Sequence, residues 1–278
     1  MKSKTLLLLA IGGILLSFTS KTDLGPIKAF NLKSDLLLAQ LDCKTDVDDL
    51  HTAAALATLL SNQEYTSLKY HTVTGTYGIQ EGLYVPPNPL LNLAFGDNWT
   101  DAHKDKAAAV EKVKAIALNT LKNDGDIWIA EAGQSDFSAA LVKAIQAALP
   151  GLNTTERIHI VQHSNWNEEV TSPESLDFVK KNTDYQKISD GNAVGNGTPG
   201  FRDPEYTKWE DKIEDPKLIE IWESAIAISN QYNGKEERYN NEAIAAGGLD
   251  FSDLSEVCWI LGIQDIKDTE AFFNRYSN

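Results

Sequence analysis

The stretch that most constrains this chain is Leu36 to Leu60, LLLAQLDCKTDVDDLHTAAALATLL. An unbroken apolar run, Leu36 to Leu41, reads as a strand buried on both faces. After it the period changes: Ala53, Leu56, Ala57 and Leu60 recur at helical spacing, so a helix begins near Asp49. Between the two lie four carboxylates in eight residues: Asp42, Asp46, Asp48 and Asp49. Acids at a helix start are favoured by the macrodipole, and Asp is a good N-cap. That accounts for one or two of them. It does not account for four, nor for Asp42 at the carboxyl end of the strand, the end at which open α/β sheets bind ligands. A hard cation would relieve the repulsion, and an all-oxygen ligand set suits Ca²⁺ or Mg²⁺. A solvated acidic turn is the plainer alternative.

Further strand-then-helix units follow. Ser67 to Thr74 alternates as a strand and ends in Gly75-Thr76. Ile127 to Ala130 leads through Glu131 to Asp136 into a helix over Phe137 to Leu149. Arg157 to Gln162 leads into His163-Ser-Asn165-Trp166-Asn167-Glu168-Glu169. Tyr185 to Ile188 is a candidate fifth strand. Residues 79–101, rich in Pro, read as a loop, and a helix is expected over Ala102 to Lys122. Strands alternating with helices predict an α/β fold, a doubly wound and mainly parallel sheet flanked by helices. One crevice at the strands' carboxyl ends would collect the polar clusters. In the segment after the fourth strand, Asn165, Asn167 and Glu168 have the directional donors and acceptors that sugar hydroxyls need. Trp166 can stack on a ring, and His163 is a candidate acid for a leaving group. A structural His is the alternative. The loop Asp190 to Gly200 is Gly-rich and polar, either solvated or facing a substrate.

D-C-K-T-D-V-D-D, following a strand and opening an Ala-rich helix, resembles the N-terminal signature of the nucleoside hydrolases, and is closest to that of their secreted bacterial relatives. AGQSDFSAAL, residues 132–141, is similar to a second run of that family. The chain departs from the usual pattern at Lys44 and lacks its Pro-Gly. The resemblance implies a Ca²⁺ held by Asp42, Asp49 and a late aspartate that opens a C-terminal helix, Asp253 first and Asp250 second. A backbone carbonyl at Glu131 or a neighbour would add a ligand. It also implies that Asp42, or Asp48, accepts a proton from a water as the sugar acquires oxocarbenium character. Thr76, Asn165, Asn167 and Glu168 would lie against the substrate, and residues 35–278 would form one nucleoside hydrolase-like domain. The implied activity is hydrolysis of N-glycosidic bonds in nucleosides or related ribosyl or glycosyl compounds. Two other readings stay open: a sugar- or glycan-binding protein with a structural Ca²⁺ and no turnover, and a metal-dependent phosphatase. The latter is disfavoured because Lys44 alone supplies positive charge beside the aspartates.

Charge narrows the partners. A net charge of −15 and a pI near 4.7 argue against nucleic acid, whose binding needs a basic face. The partner expected is a small nucleoside or sugar; a homo-oligomer is left open. Lys2 and Lys4 precede an apolar run, Leu6 to Leu16, of signal-peptide length. Residues 1–20 are therefore read as a secretory signal and 21–34 as a connector, which places the mature chain outside the cell or in the periplasm with no membrane attachment. Cys43 and Cys258 would pair or stay as buried free thiols.

Overall fold

A computed structural model describes residues 28–193 and 195–277. The proposed signal at residues 1–20 lies outside the described residues, as do residues 21–27 of the proposed connector. Among the described residues, no helix is long and apolar enough to cross a membrane.

The alternating pattern of the sequence becomes one parallel sheet. Its strands are β1 (Leu36–Leu41), β2 (Lys69–Thr74), β3 (Trp99–Asp101), β4 (Ile127–Ala132), β5 (Ile158–Gln162) and β6 (Asp184–Lys187). They lie in the order β3-β2-β1-β4-β5-β6, and every neighbouring pair is parallel. This is a doubly wound α/β fold. The chain builds outward from β1 through β2 to β3, then returns to the other side of β1 as β4. The order reverses between β1 and β4, and in such sheets the crevice beyond the carboxyl ends of those two strands is the ligand position.

Helices cover both faces, so β1 and β4 are buried on each side and their runs carry no polar alternation. Leu37, Ala39, Leu41 and Trp128 point to one layer. It contains α1 (Asp48–Ser61), α2 (Asn88–Phe95), α8 (Pro216–Tyr232), α10 (Ser255–Ile260) and α11 (Thr269–Tyr276). Leu36, Leu38, Ile127 and Ile129 point to the other, with α3 (Lys106–Lys122), α4 (Asp136–Ala148) and α7 (Pro173–Asn182). Short helices α5 (Thr154–Arg157), α6 (Asn165–Glu169) and α9 (Glu242–Ala245) and an antiparallel ribbon, β7 (Arg202–Asp203) with β8 (Leu249–Asp250), complete the described elements.

The structure corrects the expected elements in two places. Residues 79–101 are not wholly loop: they contain α2 and β3. Pro sits in the first turn of α2, where it is tolerated, while Leu90, Leu91 and Phe95 bury. Strand β3 is three residues long, too short to show a period, and exists through its pairing with β2. For the same reason α3 begins at Lys106 and not Ala102. Asp105 caps it, accepting from Ala108 N–H at 3.0 Å.

Candidate metal centre

Asp42 is the first residue past β1. Its N–H donates to the Ala132 carbonyl at 3.1 Å, extending the β1–β4 ladder by one step. That step brings β4 and its following turn against Asp42. Gly133, with φ of 152°, makes the approach possible, since a Cβ there would stand 2.9 Å from the Asp42 Cβ. The Asp42 carboxylate accepts from Lys44 N–H at 2.7 Å and from Gln134 Nε2 at 2.8 Å.

Asp48 and Asp49 form the first turn of α1, whose N-cap residue, Val47, supplies no side-chain cap. The acids therefore meet the free N–H groups of the helix end. One oxygen of Asp49 accepts from Cys43 N–H at 2.6 Å; the other, Oδ1, is buried and has no partner. Asp253 arrives from the 3-10 turn Ser252–Leu254, more than two hundred residues later. One carboxylate oxygen from each of Asp48, Asp49 and Asp253 lies within 4.8 Å of the others. Among the described residues, neither Lys nor Arg pairs with any of the three; the nearest basic side chain is His163, whose Nε2 is 3.3 Å from Asp253 Oδ1.

Such a cluster is electrostatically unfavourable when empty of positive charge. Burial first, and the neighbouring carboxylates second, push Asp48, Asp49 and Asp253 well above the ordinary carboxylate range. Asp42 and Asp46 are pushed up to about 6, again chiefly by burial. Burial lowers His163 to about 4, and raises Glu131 to about 7 and Glu256 to about 8. A hard divalent cation fits this donor set: three converging carboxylates, one of them with an orphaned oxygen, and no ammonium or guanidinium paired with them.

The cavity over the cluster measures about 370 Å³. The structure brings Asp42, Asp48, Asp49, Asp253, His163 and Asn167 to its wall. The three carboxylates that lie within 4.8 Å of one another are not the same three as the expected ligands. Asp48, read as a possible base, stands with Asp49 and Asp253, while Asp42 lies beside them with its hydrogen bonds to Lys44 and Gln134. Asp250 is engaged elsewhere, accepting from Asn241 Nδ2 at 2.8 Å and Ser252 Oγ at 2.8 Å.

Other expected contacts fall outside the cavity. Glu131 is buried beneath it, one oxygen accepting from Ser135 Oγ at 2.7 Å; its neighbours Ala132 and Gly133 reach the wall. Thr76 is buried, its carbonyl taking Gln134 N–H at 3.1 Å and its hydroxyl unpartnered. Glu168 turns away: it accepts from Tyr185 OH at 2.9 Å and pairs with Lys180 at 2.8 Å and Lys187 at 3.2 Å. The reason is that residues 165–169 are helical. Trp166 and Asn167 take the cavity side of that turn, and Glu168, about 100° further round, faces Tyr185, Lys180 and Lys187. Asn165, at the start of the same turn, is likewise off the wall, whereas Trp166 lies on it. Cys43 and Cys258 are both free and buried, so the pairing left open by the sequence is absent.

Residues with no individual signal in the sequence complete the wall: Gln80, Asn192, Arg202 and Tyr239. Asn192 belongs to the Gly-rich loop, which packs on the site through Gly191; a Cβ there would meet His163 Nδ1 at 2.8 Å and Ser252 O at 2.6 Å. Arg202 belongs to β7, in a charged stretch with no periodicity to single it out. Comparison of the chain with protein-family models, with curated proteins and with solved structures returned no match.

Proposed function

We propose that this protein is a secreted or periplasmic, Ca²⁺-dependent hydrolase of the N-glycosidic bond in nucleosides or related ribosyl or glycosyl compounds. The observation that carries the reading is the convergence of Asp48, Asp49 and Asp253 at the reversal point of the sheet, beside Asp42 and under a cavity with amide and aromatic walls. Asp48, Asp49 and Asp253 would hold the ion. Bound there, Ca²⁺ would lower the pKa of a water and orient sugar hydroxyls.

The chain's own residues supply the rest. Asp42, shifted toward neutrality and adjacent to the cluster, is suited to accept a proton at its carboxylate. Gln134 keeps that carboxylate aimed, since the same amide nitrogen also reaches Asn167 Oδ1 at 3.3 Å. Asn167 and Asn192 present amides to sugar hydroxyls. The acid-rich floor favours the positive charge that develops on the sugar as the glycosidic bond breaks. His163 stands between Asp253 and Glu256, with Nε2 3.3 Å from Asp253 Oδ1 and Nδ1 3.4 Å from Glu256 Oε1.

The test is sugar release from a panel of nucleosides by protein stripped with EDTA and reloaded with Ca²⁺. Release that requires Ca²⁺ and disappears in Asp49→Ala supports the reading. A melting temperature indifferent to Ca²⁺, with no release, removes it. One observation favours a second reading, a sugar-binding protein without turnover: Trp166 and Tyr239, 58% and 49% exposed, both stand on the cavity wall as stacking surfaces. Ca²⁺-dependent sugar binding without release would establish it.

A further inference from the structure

Resting on the assignment of this cavity as a glycosyl site, we infer that the ligand carries a phosphomonoester on its sugar, received by Lys44 and Arg202. Lys44 is two residues from both Asp42 and Asp46, so a simple ion pair is expected. It does not form. The ammonium donates instead to the Gln80 carbonyl at 2.6 Å and stands 4.3 Å over the Tyr77 ring. Among the described residues, no carboxylate lies within ion-pair distance of it. The segment is held from the other side too, for Gln80 Nε2 donates back to the Lys44 carbonyl. Lys44 is thus fixed on the cavity wall, with one of its three donors used by Gln80.

Arg202 reaches the same cavity from β7. Its Nε is 3.4 Å from Asp250 and its Nη1 is 3.5 Å from Asn192 Oδ1, leaving donors of the five-proton fork to spare. Asp250 is buried and itself fastened by Asn241 and Ser252, so the guanidinium is anchored. The cavity therefore contains both signs of charge, and the two cations do not neutralise Asp48, Asp49 and Asp253. A ligand complementary to both has hydroxyls for the acidic floor and an anion for the basic wall. A dianionic phosphomonoester can engage an ammonium and a guanidinium together, whereas a carboxylate would leave one of them under-used. A sugar phosphate, or a nucleoside monophosphate, has that form.

The experiment is calorimetric titration of the Ca²⁺-loaded full chain with ribose and with ribose 5-phosphate, beside hydrolysis of inosine and inosine 5′-monophosphate. The expected result is binding of the phosphate at least about ten-fold tighter than the plain sugar, weakening with added salt. Lys44→Met, and separately Arg202→Lys, should each cut that preference several-fold while the Ca²⁺-induced rise in melting temperature persists. Equal affinity for the two sugars, or a preference that survives both substitutions, overturns the inference. Hydrolysis of inosine without any phosphate preference removes the inference and leaves the hydrolase reading standing. Phosphate preference without cleavage of either glycosidic bond does the reverse.

Discussion

The two ends of the sheet treat buried aspartates in opposite ways. At the amino end, Asp126 precedes β4 and is supplied with positive charge by Lys28 and Arg157 and with a third partner in His159. Its carboxylate pairs with Lys28, accepts from Arg157 Nε at 2.5 Å, and lies 3.4 Å from His159 Nε2. Burial pushes its carboxyl up, but Lys28, Arg157 and His159 together outweigh that and hold it below the ordinary range. Its neighbour Asp35 accepts from Asp126 N–H at 2.9 Å and Trp128 Nε1 at 3.1 Å. At the carboxyl end, Asp49 and Asp253 are buried and Asp48 half-buried, and they have no such cations. The first arrangement is what folding stability selects. The second opposes folding, and is intelligible when a ligand completes it. The same residue type is thus charge-paired at one end of the sheet and left without cations at the other, which is where a bound ion is proposed.

That contrast can be broken by substitution, with the largest effect expected at the amino end. Asp126→Ala leaves Arg157 and its neighbours without their carboxylate and should cost about 3–5 kcal/mol in urea unfolding, the range for breaking a buried ion pair. A loss under 1 kcal/mol would mean that the amino-end network is as dispensable as a surface pair. Next in size is the metal. Ca²⁺ at a hundred times its dissociation constant should stabilise the protein by about 2.7 kcal/mol, reversed by EDTA. An unchanged thermal midpoint across a Ca²⁺ titration would remove the functional half of the comparison.

Asp48→Asn should have the opposite sign to Asp126→Ala in metal-free protein. Removing one of several repelling charges should leave stability unchanged or raise it by about 1 kcal/mol, while the Ca²⁺ response is lost. Destabilisation comparable to that of Asp126→Ala would show that the cluster is structural. The pH response sharpens the same point. In metal-free protein burial pushes Asp42 and Asp46 up to about 6, Glu131 up to about 7 and Glu256 up to about 8. Between an unfolded carboxyl value of about 4 and those values, the native state binds more protons than the unfolded one. Stability should therefore fall as pH rises from about 5 to 8, and Ca²⁺ should flatten that slope. Asp126 acts the other way and lower down: its contribution is present above the unfolded value and is lost as pH falls through its depressed one. Thermal midpoints taken between pH 3 and 8, with EDTA and with Ca²⁺, separate the two.

Much of the architecture is legible in the residues. The switch of period at Asp42 to Asp49 marks a strand entering a helix, and its repetition at Ile127 and Arg157 makes the sheet parallel. Those signals survive because strand and helix periods are local and because both faces of β1 and β4 must be apolar to be buried. Strand β3 left no trace, since three residues carry no period and its ladder is provided by β2. Within the site, the acids from Asp42 to Asp49 are visible because four carboxylates in eight residues repel one another.

What the sequence alone determined is the α/β class, the strand-to-helix turn and its excess of aspartates. Which aspartates converge was decided by tertiary structure. Asp253 joins Asp48 and Asp49 because the turn Ser252–Leu254 packs on α1, a contact spanning nearly two hundred residues or more. Arg202 enters the cavity because β7 pairs with β8, and Glu168 leaves it because a single helical turn points it at Lys180 and Lys187. Local periodicity fixes which way a side chain faces relative to its own element. The meeting of side chains from distant elements depends on how those elements pack, which no short window of residues encodes.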